Sequence, residues 1–338
     1  MRLRKRGLLV AGAMAVLLLV ASACSDVSSS SSSAASGSGE VPDNSGTTIN
    51  FSVSPWQGSA ANVAIAQKLL EDKLGYTVET TDIDEYAQFP ALANGDLDAT
   101  LEVWPSGHAK DYKKYIESGN GVVDGGPLGV IGQIGWWIPT YLLTDHPELA
   151  TWEGIKGNES MFQSSESGDA GQLLDGDPSY VTFDQNIADN LGLNLKVVYA
   201  GSEAAELTEL KTAYNAQKPI LMYFWTPHWA QEKYDLTMVE LPEVSPECEQ
   251  AAADGTDAYA CAYPQDDLYK AFNQDLQTKA PAAFAFLSAM SWTNDDQNVV
   301  ALGINDGQDP ADAAQEWIDQ NPDVWQPWVD AGTAAQPA

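Results

Sequence analysis

Basic residues are scarce in this chain of 338 residues, which has 16 Lys and Arg against 48 Asp and Glu and a formal charge of −32. That balance argues against nucleic acid as a partner, because Lys and Arg contacts to phosphate dominate such affinity. It also keeps a domain from adhering to an anionic membrane, and it attracts cations in general without locating a site for them. Histidine is scarcer still: His108, His146 and His228 are the only three, and none has a partner at metal-ligand spacing. Neither a His-Glu-x-x-His helix, a Gly-x-Ser-x-Gly elbow, a P-loop nor a Gly-x-Gly-x-x-Gly turn occurs. A metal, a cofactor and an enzymatic activity therefore all lack support. No apolar run reaches the roughly 20 residues of a membrane-spanning helix.

Cysteine is the next shortage, with three in all. The first, Cys24, follows a basic start (Arg2, Arg4, Lys5, Arg6), an apolar stretch from Leu8 to Val20, and the small residues Ala21-Ser22-Ala23. This is the layout of an export signal. Its end resembles the bacterial lipobox, although Ala21 stands where Leu is usual. Residues 1–23 are thus expected to be a signal peptide and Cys24 a lipidated N-terminus, anchoring the protein outside the cytoplasm. Residues 24–47, with serine unbroken from Ser28 to Ser33, cannot offset the cost of ordering by apolar burial and read as a flexible tether. The other two cysteines, Cys248 and Cys261, are expected to pair in an oxidising compartment. Closing that short loop would stabilise the fold by about 3 kcal/mol on a chain-entropy basis.

About 290 residues remain, enough for one large two-lobed domain. Strand and helix patterns alternate. Strands are predicted over Thr48–Ser54, Tyr76–Thr81, Ala99–Trp104, Leu195–Ala200 and Pro219–Phe224. Helices are predicted over Ala60–Lys73, Tyr86–Ala93, Phe183–Leu191 and Ala204–Tyr214. From Asp266 onward the chain reads as mainly helical, with amphipathic segments at Leu268–Leu276, Pro281–Met290 and Ala311–Ile318. Such alternation predicts an α/β fold with mostly parallel sheets.

What is plentiful is tryptophan, eleven in all. Several stand where strands end: Trp56 in Ser54-Pro55-Trp56-Gln57-Gly58-Ser59, Trp104 in Leu101-Glu102-Val103-Trp104-Pro105, and Trp225 in Trp225-Thr226-Pro227-His228-Trp229. Trp136, Trp137 and Tyr141 cluster in Gly135-Trp136-Trp137-Ile138-Pro139-Thr140-Tyr141. Ligands of open α/β sheets bind beyond the carboxyl ends of strands, so these aromatics are expected to converge on one cleft. A trimethylammonium group has charge but no N–H to donate, and it gains most from electron-rich aromatic faces. Trp152, Trp292, Trp317, Trp325 and Trp328 lie on or beside predicted helices and read as core. His108 and His146 read as solvated loop residues.

The same phrases, with Gly95-Asp96-Leu97-Asp98-Ala99 and Pro139-Thr140-Tyr141, resemble in sequence and order the glycine betaine, proline betaine and choline substrate-binding proteins of ABC importers. The resemblance implies a two-lobed periplasmic-binding-protein-like (type II) fold with the ligand cleft between the lobes. Residues 48–138 with 236–338 would form one lobe and 139–235 the other. It implies a monomer that closes on its ligand and docks on a membrane permease. It also implies a box of Trp56, Trp104, Tyr141 and Trp225, with Trp136 or Trp137 as alternates to Tyr141. Choline binders of the family tend to have an acidic residue at the position of Gly58, which favours a betaine here. Its carboxylate would sit on the Gly58 and Ser59 amides at a helix start, with His228 donating a further hydrogen bond. Choline or carnitine in the same box, a neutral sugar stacked on the aromatics, and a surface sensor are the other readings.

Overall fold

The first strand starts earlier than the sequence pattern predicts. In the computed structural model, which describes residues 41–336, strand β1 runs Asn44–Val53. Asn44 pairs with Tyr76, and its side-chain amide donates to the Leu74 carbonyl at 2.7 Å. The expected tether thus gives way to sheet at Asn44 rather than after residue 47. Cys24 and the expected signal peptide and serine run lie outside the described residues.

Helix α1, Gln57–Leu74, follows β1 and buries Val63, Ile65, Leu69 and Leu70. It stops at Gly75, whose φ of +69° is left-handed and where a Cβ would stand 1.9 Å from the Pro42 carbonyl oxygen. Only glycine meets both demands. Strand β2, Tyr76–Asp82, then pairs parallel with β1, Ile49 opposite Val78. Strand β3, Ala99–Val103, is buried throughout and also runs parallel to β1.

The glycine-spaced stretch after β3 forms one strand, β4, of 18 residues from Val122 to Pro139. At about 3.3 Å per residue it is about 60 Å long. Five shorter strands complete the sheet: β5 Gly171–Asp175, β6 Leu195–Tyr199, β7 Met222–Thr226, β8 Leu236–Met238 and β9 Gln265–Asn273. The order is β2-β1-β3-β9-β4-β7-β5-β6, with β8 beside β4. Parallel pairing therefore holds only toward the two ends, where β1 meets β2 and β3 and β5 meets β6 and β7. The middle is antiparallel: β9 lies between β3 and β4, and β4 pairs onward with β7 and β8. Two βα sets thus share one sheet through β4 and β9, an α/β fold of two lobes.

Residues 268–276 correct the reading of that region as helix, since most of them belong to β9. Leu268, Ala271 and Phe272 fit helical spacing, and all three are buried. A strand with neighbours on both edges and cover on both faces shows a near-continuous apolar run, which spacing alone cannot tell from a buried helix.

The C-terminal helices Pro281–Ala289, Asn294–Asn305, Pro310–Gln320 and Pro322–Ala334 close the core. Trp292, Trp317 and Trp328 are packed there as expected, Trp292 edge-on to Trp317 at 5.2 Å and Trp317 stacked on Trp328 at 6.2 Å. Cys248 and Cys261 form the expected disulfide, their Cα atoms 6.2 Å apart. Cys248 sits on the helix Pro246–Asp254 rather than in a loop. Among the described residues no helix is long and apolar enough to cross a membrane.

Candidate ligand-binding site

A single buried carboxylate organises the centre of the molecule. Glu102 lies in β3 and accepts four hydrogen bonds: Trp56 Nε1 at 2.7 Å and Trp104 Nε1 at 3.0 Å on Oε1, Asn62 Nδ2 at 2.5 Å and Gln297 Nε2 at 2.8 Å on Oε2. Burial pushes its pKa up to about 7 against the pull of these donors. Asn62 is itself held by the Trp292 indole N–H at 3.0 Å. Tethering each indole by its N–H end fixes the ring plane and leaves the face free. Hydrogen bonding to an anion also leaves an indole more electron-rich, which strengthens its hold on a cation.

The backbone brings these two indoles together because each follows a strand. Trp56 precedes the first turn of α1 and Trp104 precedes the helix Pro105–Asp111, both with extended φ and ψ. The Trp104 ring lies against the backbone of β4 at Gly132, where an added Cβ would come within 2.2 Å of it.

The opposite wall comes from β7. Side chains alternate along a strand, so Tyr223 and Trp225 share a face, with Ile134 of β4 paired to Trp225. Tyr180, in the loop after β5, meets all three neighbours: Trp56 edge-on at 5.9 Å, Trp225 edge-on at 5.8 Å and Tyr223 at 6.0 Å. Its hydroxyl donates to the Pro55 carbonyl at 3.1 Å. Trp56, Trp104, Tyr180, Tyr223 and Trp225 surround a cavity of about 340 Å³, open mouth included, completed by Ile134, Val181 and Glu85.

Glu85 is the charged wall of the cavity. Its Oε1 lies 3.0 Å from His108 Nε2 and its Oε2 accepts the Val181 N–H at 2.8 Å. His108 is buried, not solvated as its sequence context predicts, and its Nδ1 lies 3.0 Å from Asp111. Burial alone would lower its pKa, but the Asp111 and Glu85 carboxylates outweigh that and raise it to about 9. The ring is therefore an imidazolium at neutral pH. His146 is half-buried in its loop, with a partly exposed side chain.

Of the residues singled out from sequence, Trp56, Trp104 and Trp225 are brought together and Tyr141 is not. The Tyr141 ring packs edge-on against Tyr214 and its hydroxyl donates to the Lys218 carbonyl at 2.6 Å. Its alternates do not line the cavity either: Trp136 is fully buried with its N–H on Asp184 at 2.7 Å, and Trp137 donates to the Phe224 carbonyl. Tyr180 and Tyr223 stand in their place. Tyr223 was missed, although strand alternation two residues from Trp225 could have found it; Tyr180 sits in a loop with no periodic signal.

At the expected anion seat, the neighbouring Gln57 N–H donates to Glu203 Oε2 at 3.0 Å, and His228 Nε2 lies 2.9 Å from Glu203 Oε1. His228 Nδ1 accepts the Ala230 N–H at 3.0 Å, so the ring proton is on Nε2 and points at Glu203. Gly58 packs on Glu102, 3.2 Å from the place of a Cβ, and the buried Ser59 hydroxyl accepts the Ser54 N–H. Neither borders the aromatic cavity. Among the described residues no cluster of His, Cys, Asp and Glu is arranged to hold a metal ion.

Fold and cavity together define a two-lobed binding protein with an aromatic site. Residues 47–320 match the family described as the substrate binding domain of ABC-type glycine betaine transport systems, and the chain belongs to that family. The trimethylamine N-oxide-binding protein of Pelagibacter ubique is 28% identical over 270 residues, covering 76% of this chain and 83% of that one. Two solved structures share the fold. Lactococcal OpuAC, closed on glycine betaine, aligns with a TM-score of 0.65 at 22% identity, covering 84% of this chain and 99% of its own. An ABC-transporter choline-binding protein in complex with choline aligns with a TM-score of 0.67 at 20% identity, covering 85% and 96%.

Proposed function

We propose that the cavity captures a methylated ammonium solute in its aromatic cage and that the protein delivers it to the permease of an ABC importer, with no catalytic step. The observation that carries this reading is the lining: five aromatic rings, one carboxylate, and neither lysine nor arginine. A cation without N–H groups loses its hydration on entering such a site and recovers the energy from ring faces, about 0.5–2 kcal/mol for each and more when water is excluded. The Glu102 and Glu85 carboxylates add a field of the right sign. Glycine betaine, choline, carnitine and trimethylamine N-oxide all carry the required head group, and the relatives' ligands belong to this set.

The lobes meet over the cage through Tyr180 on Pro55, Val181 on Glu85 and Gln57 on Glu203. This is the closed arrangement expected of a hinge-closing binding protein, and a ligand favours it only as far as it binds that state more tightly. Lipidation at Cys24 and the serine run would hold the domain outside the cytoplasm, within reach of a permease.

Titration calorimetry with these four solutes and a set of neutral sugars tests the reading. Trp104→Ala and Trp225→Ala should each weaken binding by about 2- to 30-fold, the equivalent of one lost ring face. Unchanged affinity in both variants, or binding of sugars alone, would discard the cage.

A further inference from the structure

In an aromatic cage for methylated ammonium, as proposed above, the placement of the carboxylates decides which such ligand enters; this specificity rests on that cage. A betaine needs N–H donors for its own carboxylate. Of the donors near the start of α1, the Gln57 amide and His228 are held by the two oxygens of Glu203, and Gly58 and Ser59 do not border the cavity. The Val181 amide, on the cavity wall, is held by Glu85. Glu85 is fixed there from behind by His108, itself braced by Asp111. No lysine or arginine borders the cavity to neutralise a second anion. A carboxylate entering with the ammonium group would meet Glu85 in a site from which water is largely excluded, where like charges repel most strongly.

We infer that Glu85 and Glu203 set the specificity of this cavity for methylated ammonium ligands that carry no carboxylate. A quaternary amino alcohol is accommodated because its hydroxyl can donate to Glu85. A trimethylated amine oxide has the Tyr223 hydroxyl, which lines the cavity and is engaged by no other hydrogen bond among the described residues. Glu203 acts at one remove, by occupying the Gln57 amide and His228.

Calorimetry on the whole protein separates this specificity from the cage itself. Choline, trimethylamine N-oxide and tetramethylammonium are compared with glycine betaine and carnitine. At least one of the first three should bind 10-fold or more tightly than either carboxylate. In Glu85→Gln, which keeps an acceptor for the Val181 N–H while removing the charge, the ratio of glycine betaine to choline affinity should rise at least 5-fold. Glycine betaine binding the native protein as tightly as every carboxylate-free ligand would overturn the specificity and leave the cage intact. Silence toward all five would discard both. Should Glu85→Gln fail to fold, the comparison in the native protein decides alone.

Discussion

The Trp104 indole rests on bare backbone at Gly132, and the contact is too close for any side chain there. Gly132→Ala should push the ring out of the cavity while leaving the paired edges of β4 in register. Ligand affinity is then expected to fall by about 2- to 30-fold, as for loss of one ring face, with the far-ultraviolet circular dichroism unchanged; native affinity would mean that Trp104 does not form the wall. Glu102 works at the same scale and from the other side. One carboxylate fixes two indoles, so the angle between their faces is set by a pair of hydrogen bonds to one oxygen. At position 58 a larger residue would press on Glu102 and Gln297. An acidic residue there, of the kind associated with choline binding, would put a second carboxylate against the first.

At the scale of elements, the helix Asn294–Asn305 supports the site from outside it. Thr293 caps the helix in a capping box with Asp296: the Thr293 hydroxyl accepts the Asp296 N–H and the Asp296 carboxylate accepts the Thr293 N–H. Gln297, one turn in, donates to Glu102. Thr293→Ala should cost about 1 kcal/mol of stability. For a domain of this size that lowers the melting temperature by roughly 2 °C. Affinity should hold, because Gln297 is also fixed by its bond to Glu102. A large loss of affinity with little loss of stability would instead make the cap part of the site. The strands β4 and β9 matter more to the architecture than any helix. They join the two βα sets in one sheet, so a hinge motion between the sets would bend or twist them or the segments beside them.

For the whole molecule, pH should tell. Burial raises the pKa of Glu102 to about 7 and of Asp266 to about 6, and it raises those of Asp175, Asp184 and Glu206 as well. The neighbouring Asp184 charge adds to the shift of Asp175. An acid whose folded pKa lies above its unfolded one binds more protons when folded, so its contribution falls as pH rises between the two values. His108, raised to about 9, behaves alike: its stabilisation is complete below its unfolded value near 6.5 and is lost as pH rises through about 9. Both trends have the same sign between pH 5 and 8. Above that, Lys270, which burial holds down at about 8, begins to oppose them. The melting temperature should therefore fall steadily from pH 5 to pH 8. A flat or rising profile would mean that the buried acids are better paired than their surroundings indicate.

The three tryptophans that line the cavity, the alternating strands and helices, the closed cysteine pair and the family were all legible in the amino-acid order. Strand-end aromatics and short motifs are local, and local signals survive without a fold. Tyr180, Glu85 and His108 were not legible, nor was the strand at 265–273. Each depends on residues far apart in sequence: Tyr180 on Trp56 and Trp225, Glu85 on Val181 and His108, β9 on partners along both its edges. Glu203 makes the same point for the ligand. A helix start and a nearby histidine predict an anion site, and only tertiary packing shows that the Gln57 amide and His228 meet the protein's own Glu203. Sequence determined which chemistry the site contains, because aromatic faces and their spacing are written along the chain. Structure decided which charges line the cavity, because that depends on which groups other parts of the chain bring to it.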